Sequence, residues 1–126
     1  MITGVLIKTD KSGNGKNTAT RISFDDELEN YYKYLECDCI EIIRRPIGGK
    51  EFTIVCDDMG WRRTRPLLSA ISYSGKQDEM LVGNLFVCKG DGPELESLTP
   101  EECEHVMSYM SNAFAKESNK SFLIIG

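Results

Sequence analysis

The chain has 126 residues, a net charge of −5, and 40% hydrophobic and 28% charged residues. That is the make-up of one soluble domain over residues 1–126, large enough to hide roughly two-thirds of its unfolded surface in a core. It excludes intrinsic disorder, a membrane-spanning helix and generic electrostatic attraction to nucleic acid.

The opening residues, Met1 to Ile7, lack the basic region and small-residue cleavage site of a signal peptide. Five cysteines, an odd number, then point to reduced thiols in a cytoplasmic protein. Cys37 and Cys39 fall on one face if they lie in a strand, and Cys56 and Cys88 suit neighbouring strands. No paired C-x-x-C knuckles accompany them, so the cysteines read as small core hydrophobes, with neither metal nor cofactor expected.

In chain order, residues 2–9 and Thr18 to Phe24 read as two strands of a hairpin. The turn between them, Asp10 to Gly15, is polar and lacks the spacing of a phosphate loop. A helix is expected over 24–36. Ser23 and Asp26 fit a capping box, and Leu28, Tyr31, Tyr32 and Leu35 form an apolar stripe that leaves Tyr34 outside.

The β-branched runs Ile40 to Ile43 and Phe52 to Cys56, parted by Pro46-Ile47-Gly48-Gly49, read as a second hairpin. Asp57-Asp58-Met59-Gly60 closes it as a turn, and Trp61-Arg62-Arg63-Thr64-Arg65 follows. Residues 66–75 read as loop with a short strand, and Met80 to Cys88 as one strand covered on both faces, with Gly83-Asn84 marking a bulge or close backbone approach. Leu98-Thr99-Pro100-Glu101-Glu102-Cys103 is a helix start with cap, N1 proline, capping box and staple. The helix it opens is expected over 100–117, with Cys103, Val106, Met107, Met110 and Phe114 on its apolar face. Residues 121–125 form a short strand or a packed tail.

The fold class is therefore α+β: a mainly antiparallel sheet of four to six strands packed by two helices, whose stripes are expected to share one core.

With the elements placed, a family resemblance emerges. Its residues are Tyr34-Leu35, Cys37 and Ile40-Glu41 entering the hairpin, Ile47-Gly48-Gly49-Lys50 and Phe52 at its turn, and Val55-Cys56-Asp57-Asp58 and Gly60 after it. Leu81 to Cys88 and Ser97-Leu98-Thr99-Pro100-Glu101 complete the pattern. Over roughly residues 25 to 110 the chain resembles the family catalogued as domain of unknown function 3846. The resemblance implies a small cytoplasmic protein of bacteriophages, plasmids and other mobile elements, and brings no catalytic set with it.

Catalysis has little to build on. His105, the sole histidine, falls on the polar helix face between Glu101 and Tyr109, and Asp57-Asp58 reads as a turn before it reads as an acid–base or Mg²⁺ pair. No catalytic residue is assigned.

Arginine is where the charge is organised. Five of the six arginines, Arg44, Arg45, Arg62, Arg63 and Arg65, fall in or just after the second hairpin, whereas Asp91 to Glu117 carries seven acids against one lysine. Guanidinium forks suit phosphate and carboxylate, and Trp61 offers a face for stacking. The plainer reading is a solvated basic edge, with Trp61 half-buried and the arginines paired to Glu41, Glu51 or the acidic helix.

The expected function is binding: an accessory protein that captures a small anionic ligand, in its sharpest form a nucleotide-type immune signal, or that binds a host protein. An enzyme acting on a nucleotide, or a nucleic-acid-associated regulator, is the alternative. Open sheet edges point to a homo-oligomer, most simply a two-fold dimer.

Overall fold

The alternating and β-branched runs do form strands, and they sort into two sheets. The computed structural model describes residues 1–12, 16–60, 67–72, 80–90, 94–111 and 121–125. Its elements are β1 (Ile2–Lys8), β2 (Thr18–Phe24), α1 (Leu28–Leu35), β3 (Ile40–Ile47), β4 (Lys50–Asp57), β5 (Leu68–Ser72), β6 (Met80–Val82), β7 (Leu85–Cys88), α2 (Pro100–Ser108), β8 (Met110–Ser111) and β9 (Phe122–Ile125). One sheet has the order β2-β1-β7-β4-β3 and is antiparallel throughout; the other has the order β6-β5-β9-β8, with β5 and β9 parallel. The class is α+β and mostly antiparallel, as expected, with a second sheet added.

The five-stranded sheet is buried on both faces, and alternation assigns the residues. Val5, Ile7, Ile54, Cys56, Leu85 and Val87 point to one side, where Ala70, Leu81, Leu123 and Ile125 of the second sheet and Cys103 and Val106 of α2 meet them. Ile2, Leu6, Val55, Phe86 and Cys88 point to the other side, under Tyr31 and Leu35 of α1. The two helices thus cover opposite faces and do not share one core. A strand such as β1, apolar at successive positions, needs cover on each side.

α1 is shorter than the 24–36 expected. Phe24 stays in β2, 5% exposed, with its ring 5.0 Å from Tyr31, 5.0 Å from Tyr34 and 4.9 Å from Phe86. The Ser23–Asp26 capping box does not form, and the N-cap is Glu27, with no side-chain bond. Burying a phenylalanine, on the order of 1.5–3 kcal/mol, outweighs a cap worth about 1 kcal/mol. The helix rotates accordingly: Tyr31 and Leu35 are buried, Tyr34 stacks on Phe24, Tyr32 is half-buried and Leu28 is 53% exposed.

α2 begins as its sequence dictates. Thr99 Oγ1 accepts from the Glu102 amide at 3.2 Å, and Glu102 Oε1 accepts from the Thr99 amide at 2.9 Å. It ends at Ser108, not 117, because Met110 and Ser111 leave to pair with Leu123 and Phe122 of β9. Phe114 lies outside the described residues. Met80 to Cys88 is likewise two strands, one in each sheet, and Gly83, at φ +79°, makes the crossing. The break in the central hairpin is only Gly48-Gly49, both at positive φ as a two-residue primed turn needs, so Pro46 and Ile47 belong to β3.

Candidate functional site

The segment carrying Trp61, Arg62, Arg63 and Arg65 lies outside the described residues, but the residues on either side of it are described. Before it, Gly60 is buried against β6: a Cβ there would stand 2.7 Å from Val82 Cγ2 and 3.3 Å from Val82 O. After it, Leu67 O accepts a 2.8 Å hydrogen bond from the Gly83 amide, and β5 begins at Leu68. The two flanks of the arginine segment therefore converge on consecutive residues, Val82 and Gly83.

Beside this base lies a cleft of about 130 Å³ lined by Glu41, Cys56, Asp57, Asp58, Gly60, Leu81 and Val82. Asp57 Oδ1 accepts from the Met59 amide at 2.9 Å, and the Asp58 amide donates to Cys39 O at 3.1 Å, so the Asp-Asp pair shapes the turn. Cys56 is 5% exposed, and burial, reinforced by the carboxylates of Glu41, Asp57 and Asp58, pushes its thiol up to about 12. Burial likewise pushes the Cys88 thiol up to about 12. Such thiols are poor nucleophiles at neutral pH.

Cys56 and Cys88 do lie on neighbouring strands, β4 and β7, but Cys37 and Cys39 do not share a strand face. Cys37 and Cys39 precede β3, and Cys56 and Cys88, on neighbouring strands, point to opposite faces of the sheet. Among the described residues no three His, Cys, Asp or Glu side chains are grouped to hold a metal ion. No helix of the described residues is long and apolar enough to cross a membrane.

Arg44 and Arg45 are successive residues of β3 and so point to opposite faces of the sheet. Arg44 Nε stands 3.4 Å from Glu51 Oε1, one of the pairings a basic edge would make, and Arg45 donates to the Arg44 carbonyl at 2.7 Å. Arg44 is paired with Thr53, and from Thr53 to Asp57, where β4 ends, the strand spans about 13 Å at about 3.3 Å per residue, with the turn to Gly60 beyond it. Both arginines thus belong to the turn end of the hairpin, whereas Gly60 follows its other end.

His105 departs from its expected exposed place. Its ring stacks on Phe52 at 5.7 Å and lies 5.0 Å from Tyr109, and Nε2 is 2.8 Å from the Ile47 carbonyl. The histidine is half-buried and fastens α2 to the tip of the central hairpin.

Sequence reasoning missed the role of Asn84, which is 4% exposed. Its Oδ1 accepts from the Thr9 amide at 2.9 Å and hydroxyl at 3.0 Å, while Nδ2 donates to Tyr34 O at 3.0 Å and Glu36 Oε2 at 2.9 Å. The interrupted apolar run around it was the available signal.

A family model described as Domain of unknown function (DUF3846) matches residues 4–111. The chain belongs to the DUF3846 family. No curated protein and no solved structure matches it significantly. Three of the blocks by which the chain resembles DUF3846 proteins have architectural roles. Ile47-Gly48-Gly49-Lys50 is the hairpin turn under α2, Gly83-Asn84 is the crossing between sheets, and Thr99-Pro100-Glu101 starts α2.

Proposed function

We propose that this DUF3846 protein is a small binding protein that captures an anionic ligand of nucleotide type through Arg62 and Arg65, with Trp61 packing against the ligand or holding the segment. The observation that carries this reading is the convergence of Gly60 and Leu67 on Val82 and Gly83. A six-residue stretch with three guanidinium groups, held at both flanks by one stretch of backbone, loses less freedom on binding than an open loop. Three of the described groups that acid–base or thiol chemistry would use are turned to the fold. His105 bonds to the Ile47 carbonyl, and Cys56 and Cys88 are buried with raised pKa values.

In the host cytoplasm such a protein acts as an accessory factor of a bacteriophage or plasmid, sequestering a nucleotide signal. Native mass spectrometry of protein purified from cells carrying the element tests this. A trapped ligand that is returned intact on denaturation supports capture, a converted product points to an enzyme, and a co-purified host protein without ligand points to an inhibitor. Titration with mono- and dinucleotides then compares the native chain with Arg62→Ala/Arg65→Ala. The double variant is expected to bind at least tenfold more weakly with its melting temperature nearly unchanged, the outcome for arginines that hold a ligand and not the fold. Unchanged binding, or unfolding, overturns the assignment.

A further inference from the structure

We propose that the free edge of β3 pairs with the same edge of a second copy of this chain, antiparallel, about a two-fold axis at Ile43. The five-stranded sheet ends on β2 at one side and on β3 at the other, and the second sheet ends on the short strands β6 and β8. Among the described residues no strand pairs with the outer side of β3.

Hydrogen-bond phase identifies which groups face outward. The β3–β4 hairpin closes on the directly opposed pair Ile47 and Lys50, and in the same register the Asp58 amide donates to Cys39 O. Odd-numbered residues of β3 therefore exchange bonds with β4, and Ile40, Ile42, Arg44 and Pro46 direct their backbone groups outward. Pro46 agrees, since its missing N–H falls on the outer side. So does the Arg44 carbonyl, which accepts from the Arg45 side chain instead of from β4.

The order of side chains along this edge is complementary to itself. Centred on Ile43, antiparallel pairing sets Ile43 opposite Ile43, Ile42 opposite Arg44, and Glu41 opposite Arg45 at both ends. Directly opposed side chains stand about 5 Å apart and stabilise when of opposite charge. Arg45 exchanges its bond to the Arg44 carbonyl for the second copy's Glu41, while that carbonyl takes the second copy's Ile42 amide. Ile42, an apolar side chain left 52% exposed, gains cover from the Arg44 stem and its own symmetry mate. Moving the axis to Arg44 would oppose two arginines, and moving it to Ile42 would remove both ion pairs. β2 offers no such match, because its sole charged residue is Arg21, and β6 and β8 are three and two residues long.

An interface of one strand pair is small, so assembly is expected at roughly tens of micromolar. Sedimentation equilibrium of the full chain tests it with Glu41→Arg and Arg45→Glu. Each variant alone opposes like charges and is expected to dimerise at least tenfold more weakly. Mixed together they restore both pairs, and native mass spectrometry should find the heterodimer at about the native affinity. Ile42→Pro removes an outward amide without touching the β4 ladder, so it should give a folded monomer by circular dichroism. A native chain that stays monomeric at several hundred micromolar, single variants that dimerise normally, or a mixture that forms no heterodimer overturns the proposal.

Discussion

The Tyr109 ring lies where a side chain at Gly48 would have to be. A Cβ built at Gly48 stands 2.3 Å from Tyr109 Cζ, and Gly48 sits at φ +59°. The hairpin tip and the end of α2 are thus fitted to each other, with the His105–Ile47 bond alongside.

Two glycines in one turn separate sterics from conformation. Gly48→Ala meets both the ring and a left-handed backbone, and is expected to cost on the order of 2–4 kcal/mol. Gly49, at φ +81°, has nothing within 4 Å of a Cβ, so Gly49→Ala should cost only about 1 kcal/mol. Chemical denaturation of both variants checks this. Adding Tyr109→Ala should recover part of the Gly48→Ala loss and none of the Gly49→Ala loss.

The thiols make stability depend on alkaline pH. Cys56 and Cys88 have an ordinary value of 9.0 and are raised to about 12 in the fold, so the unfolded chain loses protons first as pH rises. Their contribution is fully present below pH 9 and declines between 9 and 12 by about 1.4 kcal/mol per thiol per pH unit. Burial lifts the Tyr31 hydroxyl as well, adding to the fall at high pH. Denaturation midpoints from pH 8 to 10.5 should drop steeply, and Cys88→Val should flatten the curve. A thiol reagent at pH 8 should label exposed Cys39 well before Cys56, Cys88 or Cys103.

How far the sequence could be read follows from the range of each signal. The two hairpins and the start of α2 are local, and their turn glycines, alternation and capping residues lie within a few positions of the contacts they specify. The second sheet is not local. Ala70 meets Leu123 in parallel, far away along the chain, and nothing near either residue announces the other. Tyr34 and Leu28 exchanged places because the sheet, through Phe24, sets the rotation of α1. At the candidate site the arginine cluster was visible as composition, while the shared anchorage of Gly60 and Leu67 depends on β6, which follows both.

Asn84 uses all its bonds to join β1, α1 and the crossing between sheets. Asn84→Ala leaves the Thr9 amide and hydroxyl and the Tyr34 carbonyl without this partner, at an expected cost on the order of 2–4 kcal/mol. Asn84→Asp keeps the acceptor but sets a second carboxylate beside Glu36 and the Tyr34 carbonyl. The introduced acid is then disfavoured in its charged form, so the variant should regain stability as the pH is lowered towards 5. Thermal melts of the native chain and both variants at pH 5 and 7.5 distinguish these outcomes. Equal losses for Asn84→Asp at both values would argue against the network.

The contact between Gly60 and Val82 links the fold to the proposed ligand. Gly60 lacks room for a Cβ because Val82 Cγ2 would stand 2.7 Å away and the Val82 carbonyl 3.3 Å away. Gly60→Ala must therefore shift one side of the base from which residues 61–66 depart. Overpacking of this kind costs roughly 1–3 kcal/mol, and a displacement at the base is carried into the arginine positions. Nucleotide affinity should fall several-fold. Val82→Ala removes the nearer obstacle, so the double variant Gly60→Ala/Val82→Ala should regain both melting temperature and affinity relative to Gly60→Ala. Calorimetric titration and melting of the three variants check this. If stability recovers and affinity does not, the contact only packs the core. If Gly60→Ala binds and melts like the native chain, Gly60 does not fix the segment.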